Sequence, residues 1–147
     1  MPITNTYIDY VPNPGSPGYP PTIPTGSTSL TASTTSATPT ALSSSSGGGV
    51  PISEDTTVAF HIVVVARRAG GADSARWEFI GSATRASAAS STEVIEVEKS
   101  PSVENPAGWD CDVTADTVEG ELAITATGGA YTVDWNANVE LTEITLA

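Results

Sequence analysis

From Thr57 onward, apolar and polar residues alternate along the chain with a period of two, the signature of strands that bury one face. In TTVAFHIVVVARR, Val58, Phe60, Ile62, Val64 and Ala66 share a face. The opposite face carries Ala59, His61, Val63 and Val65, apolar enough to predict partial cover on both sides. SARWEFIGSATR puts Trp77 and Phe79 together, and TEVIEVEK sets Ile95 and Val97 beside acidic residues. In GWDCDVTA, Trp109, Cys111, Val113 and Ala115 point one way, against Asp110, Asp112 and Thr114. LAITATG aligns Leu122, Ile124 and Ala126. The clearest alternation is YTVDWNANVELTEITL, with Tyr131, Val133, Trp135, Ala137 and Val139 inward against Thr132, Asp134, Asn136, Asn138 and Glu140.

Turn-forming stretches separate these segments: GGADS, ASAASS, the proline-bracketed KSPSVENPAG, and DTVEGE. Helical periodicity is nowhere evident. About seven strands at such spacings predict an all-β fold, an antiparallel β-sandwich of jelly-roll-like form.

The N-terminal part has a different pattern. Residues 7–26, YIDYVPNPGSPGYPPTIPTG, hold prolines and glycines throughout, which exclude a helix or a central strand and favour polyproline II and turns. Yet Tyr7, Ile8, Tyr10, Val11, Tyr19 and Ile23 are too apolar for a linker that only has to stay solvated. Residues 27–49, STSLTASTTSATPTALSSSSGGG, are low in complexity and uncharged, as a flexible or extended tether would be. Residues 1–50 are therefore expected to form an extended anchoring arm, and residues 51–147 the β-sandwich. In the arm, the six apolar residues supply the contacts that anchor it on a partner. Its prolines lower the entropy lost when it lies extended on another protein.

Charge narrows the choice of partner. The 147 residues carry 17 acidic and 5 basic side chains, a formal charge of −12. Such a domain is repelled by phosphate backbones and anionic lipid, so neither nucleic acid nor membrane is an expected partner. No run approaches the roughly 18 apolar residues of a membrane span. No basic stretch followed by an apolar one opens the chain, so no signal peptide is expected. The single cysteine, Cys111, forms no internal disulfide and no Cys-rich metal site.

Candidate chemistry is sparse, and no catalytic residue, metal site or cofactor is assigned. His61 and Cys111 are the only candidates for a thiol–imidazole pair, but they fall in opposite registers of their strands. The acidic run WDCDVTADTVEGE offers oxygen ligands of the kind calcium takes, without the spacing of an EF-hand loop. Solvated carboxylates that guard a sheet are the simpler account. No acid pair is singled out for glycoside hydrolysis. The three tryptophans fall in the inward register, where a shared aromatic core is the default. Trp109, next to the Pro-Ala-Gly loop, is the best placed of them to stack on a glycan. The cluster Arg67, Arg68, Arg76 and Arg85 could answer acidic strands of a neighbouring subunit or form local surface ion pairs.

Taken in order, VAFHIVVVARR, SARWEFIGSATR, GWDCDVTADTVEGELAITATG and YTVDWNANVELTEI resemble a β-domain found repeatedly in tailed-bacteriophage virion proteins, especially tail fibres and appendages. The resemblance spans Thr57 to Glu143 and lies in the ordered series, no single motif being specific. YIDYVPNPGSPGYP is similar to the Pro/Tyr-rich leaders of some phage fibre proteins. Cys111 departs from the family pattern, which has an apolar residue such as valine there. The resemblance implies a non-enzymatic virion structural protein; within that reading the small size and simple arm-plus-knob plan favour a capsid decoration or head-fibre protein attached through its arm to the major capsid protein. The alternative it leaves is a tail-fibre or baseplate-associated appendage bound to tail or baseplate proteins, with a host-glycan-binding role conceivable. A homo-oligomer is expected, a trimer if it follows the three-fold symmetry common among phage appendages.

Overall fold

A computed structural model describes residues 25–101 and 108–145 of the chain. The fold is all-β, an antiparallel sandwich, as the alternation predicts. The strands are β1 (Thr25–Thr34), β2 (Thr40–Ala41), β3 (Val50–Pro51), β4 (Thr56–Arg68), β5 (Ser74–Arg85), β6 (Glu93–Pro101), β7 (Asp110–Asp116), β8 (Glu121–Thr127) and β9 (Val133–Thr145). A 3-10 turn, Ala89–Ser91, links β5 to β6.

One sheet has five strands in the order β1-β9-β4-β5-β6, with β4, β5 and β6 a meander. The smaller sheet has four, β8 lying between β7 on one side and the short β2 and β3 on the other. The alternation predicted for β4 is the one observed: Val58, Phe60, Ile62, Val64 and Ala66 are buried, and the residues between them face outward. They meet Trp77 and Phe79 of β5, Trp135 and Ala137 of β9, and Leu122 and Ile124 of β8 in one continuous core.

The serine- and threonine-rich stretch is not a tether. Residues 25–34 form β1, paired antiparallel with β9 from Thr34↔Val133 to Thr25↔Thr142. Its own period of two explains why: Leu30 and Thr34 are buried, Thr28 and Ala32 half-buried, while Ser27, Ser29, Thr31 and Ser33 stay exposed. Threonine suits a pleated, half-buried surface, and β9 would otherwise present an unpaired edge. Leu42 and Val50 are buried as well, so the folded unit reaches back across the expected boundary at residue 50 to Thr25.

Three local devices close the sandwich. On one side, Leu42 N–H donates to the Ile124 carbonyl, and Ser43 exchanges two backbone bonds with Thr31, so the chain steps from the small sheet onto β1. On the other side, Lys99 of β6 reaches Asp110 and Asp112 of β7 at 2.6 and 3.0 Å. At one end, Arg85 donates to the Ile52 carbonyl at 2.8 Å and lies over Gly120, which turns at φ +76°. A side chain at Gly120 would fall 2.6 Å from the guanidinium in a backbone region that costs L-residues about 1–2 kcal/mol.

Candidate functional site

The three tryptophans build the opposite end of the core. Trp77 stacks on Trp135 with ring centroids 5.5 Å apart, and Trp109 tilts against Trp135 at 6.0 Å. Tyr131 closes the group: its hydroxyl accepts from Trp109 Nε1 at 3.2 Å, and the Arg68 guanidinium lies 4.1 Å from its ring centroid. Trp135 Nε1 donates to the buried Thr34 hydroxyl at 3.0 Å, which ties β1 into the cluster. Trp109 is 3% exposed. Its ring therefore offers no face to a sugar, and the expected glycan platform is a core residue. The inward register was decisive, and proximity to the Pro-Ala-Gly loop was not. Tyr131, in the β8–β9 connection, and Trp135 of β9 pack against the ring.

The anchor residues Tyr7, Ile8, Tyr10, Val11, Tyr19 and Ile23 lie outside the described residues.

His61 and Cys111 do not meet. Cys111 is buried within the core, and burial pushes its thiol up to about 12, so it is not a nucleophile at neutral pH. His61 lies on the outer face of the five-stranded sheet between two carboxylates. Its Nε2 is 2.5 Å from Glu78 and its Nδ1 is 3.4 Å from Glu140. The hydrogen bond to Glu78, helped by Glu140, raises the imidazole above its ordinary value, and the same bond lowers Glu78. The carboxylates engage opposite nitrogens of the ring, so they cannot share one metal ion with it.

The acidic run from Asp110 to Glu121 is engaged locally. Asp110 and Asp112 hold Lys99. Burial alone would lower the Lys99 ammonium, but its bonds to the two carboxylates outweigh that and raise it, while the Lys99 bond holds Asp110 below its ordinary value. Asp116 accepts from the backbone N–H groups of Val118 and Glu119, fixing the β7–β8 turn. Glu121 accepts from Gly49 N–H at 2.7 Å. Among the described residues, no group of three potential ligands is arranged to hold a metal ion.

The surface with most open chemistry is the outer face of the five-stranded sheet. Strand register sets its side chains in rows. Ser33, Asp134, Arg67 and Ser74 form one, and Thr31, Asn136, Val65 and Arg76 form the next. These two rows line a groove of about 860 Å³. Arg68 is paired with Asp73 at 3.2 Å and Arg76 approaches Glu78 at 3.6 Å, whereas Arg67 makes no ion pair among the described residues. Sequence reasoning named these arginines but not the groove, because the groove exists only once β9 pairs with β4.

No protein-family model and no curated sequence matches the chain. Among solved structures it is similar to the tailspike protein of Acinetobacter phage vB_ApiP_P1, at 12% identity and a TM-score of 0.35, over 80% of this chain. The chain spans 21% of that protein. A likeness of this size leaves function to the chain's own residues. Among the described residues, no helix is long and apolar enough to cross a membrane.

Proposed function

We propose that the chain is a non-enzymatic structural protein of a bacteriophage virion, assembled in the host cytoplasm. In this reading it is a capsid decoration or head-fibre protein. The segment before Thr25 anchors it on the major capsid protein, and the sandwich stands on the particle surface. The observation that carries the reading is where the reactive side chains go. Cys111 and the three tryptophans are packed in the core, and His61 is held between Glu78 and Glu140 on a sheet face. The residues left for attachment are the tyrosines and isoleucines that precede Thr25. The ordered motif series and the Pro/Tyr-rich leader support the virion assignment.

The test deletes residues 1–23, stopping short of Thr25, which pairs with Thr142 in β1. Mass spectrometry of intact particles is expected to show the truncated protein lost from them while it still folds in solution. Full occupancy by the truncated form would sink the anchoring role. A photo-crosslinker at Tyr10 or Tyr19 should mark the major capsid protein. Crosslinks to tail or baseplate proteins would assign the chain to a tail appendage instead.

A further inference from the structure

The five-stranded sheet has two edges, β1 and β6, and the chain treats them differently. An edge strand presents unpaired N–H and C=O groups on which another chain can add, and proteins blunt it with charges and bulges. β6 carries both devices, Glu93, Glu96 and Glu98 along its length and a bulge where it meets Ser82/Ala83. β1, TGSTSLTAST, has no charge and no proline, and its register with β9 runs unbroken from Thr34 to Thr25.

One contact shows which groups of β1 face outward. Thr31 exchanges two backbone bonds with Ser43, each of 2.9 Å, so its N–H and C=O point away from β9. These directions alternate along an edge strand, so the N–H and C=O of Ser27 and Ser29 point the same way. The pairing that Ser43 begins goes no further. Ser44 N–H donates to the Gly48 carbonyl at 3.0 Å and Gly47 N–H to the Ser44 carbonyl at 2.9 Å. Gly47 and Gly48 take the φ of +91° and +76° that this turn requires. Among the described residues, no backbone group takes up the outward bonds of Ser27 and Ser29. A slot of about 590 Å³ lies beside them, lined by Ser27, Ser29 and Thr31 of β1 and by Ser43, Ser46 and Gly49 of the β2–β3 connection. β9 holds the β1 wall in place: the Ser27 hydroxyl donates to Asn138 at 2.7 Å, and Asn136 donates to the Ser29 hydroxyl at 3.3 Å.

We propose that this edge takes a backbone strand from the protein that holds the arm. The inference rests on the reading above, in which the segment before Thr25 lies on the major capsid protein. β1 begins at Thr25, so that segment leads directly to the open edge, and a surface that grips the one is brought against the other. Strand addition draws its affinity from main-chain bonds, which are what Ser27 and Ser29 have to offer. No charged residue lines the slot, in a chain of net charge −12. The strand that fits is therefore extended, free of proline opposite Ser27 and Ser29, and neutral or basic, because the surrounding field repels acidic side chains.

Hydrogen exchange at single amides of the full chain, free and on particles, tests this. In the free protein the Ser27 and Ser29 amides should exchange quickly, while Thr28 and Leu30, whose N–H groups point toward β9, stay protected. On the particle the Ser27 and Ser29 amides should slow by at least about tenfold. Ser29→Pro removes one outward donor at a position where an edge strand tolerates proline. It should melt as the wild type does and bind particles about tenfold more weakly. Arm and edge fail separately. If the 1–23 deletion is lost from particles while Ser27 and Ser29 stay unprotected in the bound full chain, the arm stands and the edge proposal falls. If the deletion is retained with both amides protected, the arm falls and the edge stands. A full chain that binds no particle overturns both. Protection of the two amides in the free chain also overturns the proposal, giving the edge to a second copy if the chain self-associates and to the chain itself if it is a monomer. So does wild-type binding by Ser29→Pro.

Discussion

The two faces of the five-stranded sheet come from the same strands, one residue out of step, and they contrast in almost every physical respect. Inside, Trp77, Phe79, Trp135 and Val64 are all but inaccessible and packed against the small sheet. Outside, Val65, Arg76, Glu78 and Asn136 stand on neighbouring positions of those strands in water. Inner side chains hold the fold because each removes apolar area from solvent and fills space at close-packed density. Outer side chains can change with little effect on folding. The lesson is that the residues that hold the fold and those free to vary differ by a single step of register, and substitutions at adjacent residues should separate them.

The largest effect should come from the aromatic cluster. Trp135→Ala removes a side chain that touches both other tryptophans and donates to Thr34. It is expected to cost about 3–5 kcal/mol in urea unfolding. Val65→Thr, on the outer face, should change stability by no more than about 0.5 kcal/mol. Comparable losses at the two sites would break the contrast between the faces. A finer comparison lies inside the cluster. Trp77 Nε1 is buried without a hydrogen-bond partner among the described residues, whereas Trp135 Nε1 has one. Trp77→Phe should therefore cost less than Trp135→Phe.

Next comes the edge strand. Leu30 is fully buried and is the only large apolar residue of β1, so Leu30→Ala should destabilise the whole domain by about 2–5 kcal/mol. If residues 27–49 behaved as a tether, the same change would be silent. Hydrogen exchange offers an independent check, since β1 amides bonded to β9 should be protected to nearly the global unfolding energy.

This strand also marks the limit of what the chain reveals before it folds. β4, β5 and β7 to β9 were legible because large apolar residues recur at every second position, and Val58 through Ala66 or Val133 through Val139 fix a face without ambiguity. β1 alternates just as regularly, but with serine, threonine and alanine around one leucine, a contrast too faint to stand out from low complexity. The acidic run was legible as solvated carboxylates. That Lys99 links Asp110 and Asp112 across the two sheets depends on where β6 and β7 end up in space. Arg67 and Asp134 are 67 positions apart in sequence, and only the β4–β9 register makes them neighbours.

A smaller effect is expected where the sheets are tied by charge. Lys99 bridges β6 to β7 from a partly exposed position, with side-chain exposure of 30%. Solvent screens such a pair, so Lys99→Met should cost no more than about 1 kcal/mol. Its loss should shrink further in high salt. A penalty near that of Leu30→Ala would mean that this side of the sandwich depends on the ion pair rather than on packing.

The smallest effect is the most specific to the outer face. His61 is the chain's only histidine, so its ring signals can be followed by NMR without assignment of others. Glu78, and secondarily Glu140, should make it titrate above the ordinary 6.5. Glu78→Gln removes the larger cause and should bring the value down more than Glu140→Gln does. A wild-type value at or below 6.5 would show that the row of Glu140, His61 and Ile80 is not held as described. The sign of the linkage follows: because the folded form binds the proton more tightly, the pair's contribution is complete below the unfolded value and fades as pH rises through the raised one. Near neutral pH the stabilisation should therefore weaken as pH rises, while Trp135 and Leu30, which carry no titrating group, keep their full effect across the same range. A pH dependence of that sign, lost in Glu78→Gln, would place the titrating group on the outer face and leave the inner face to packing alone.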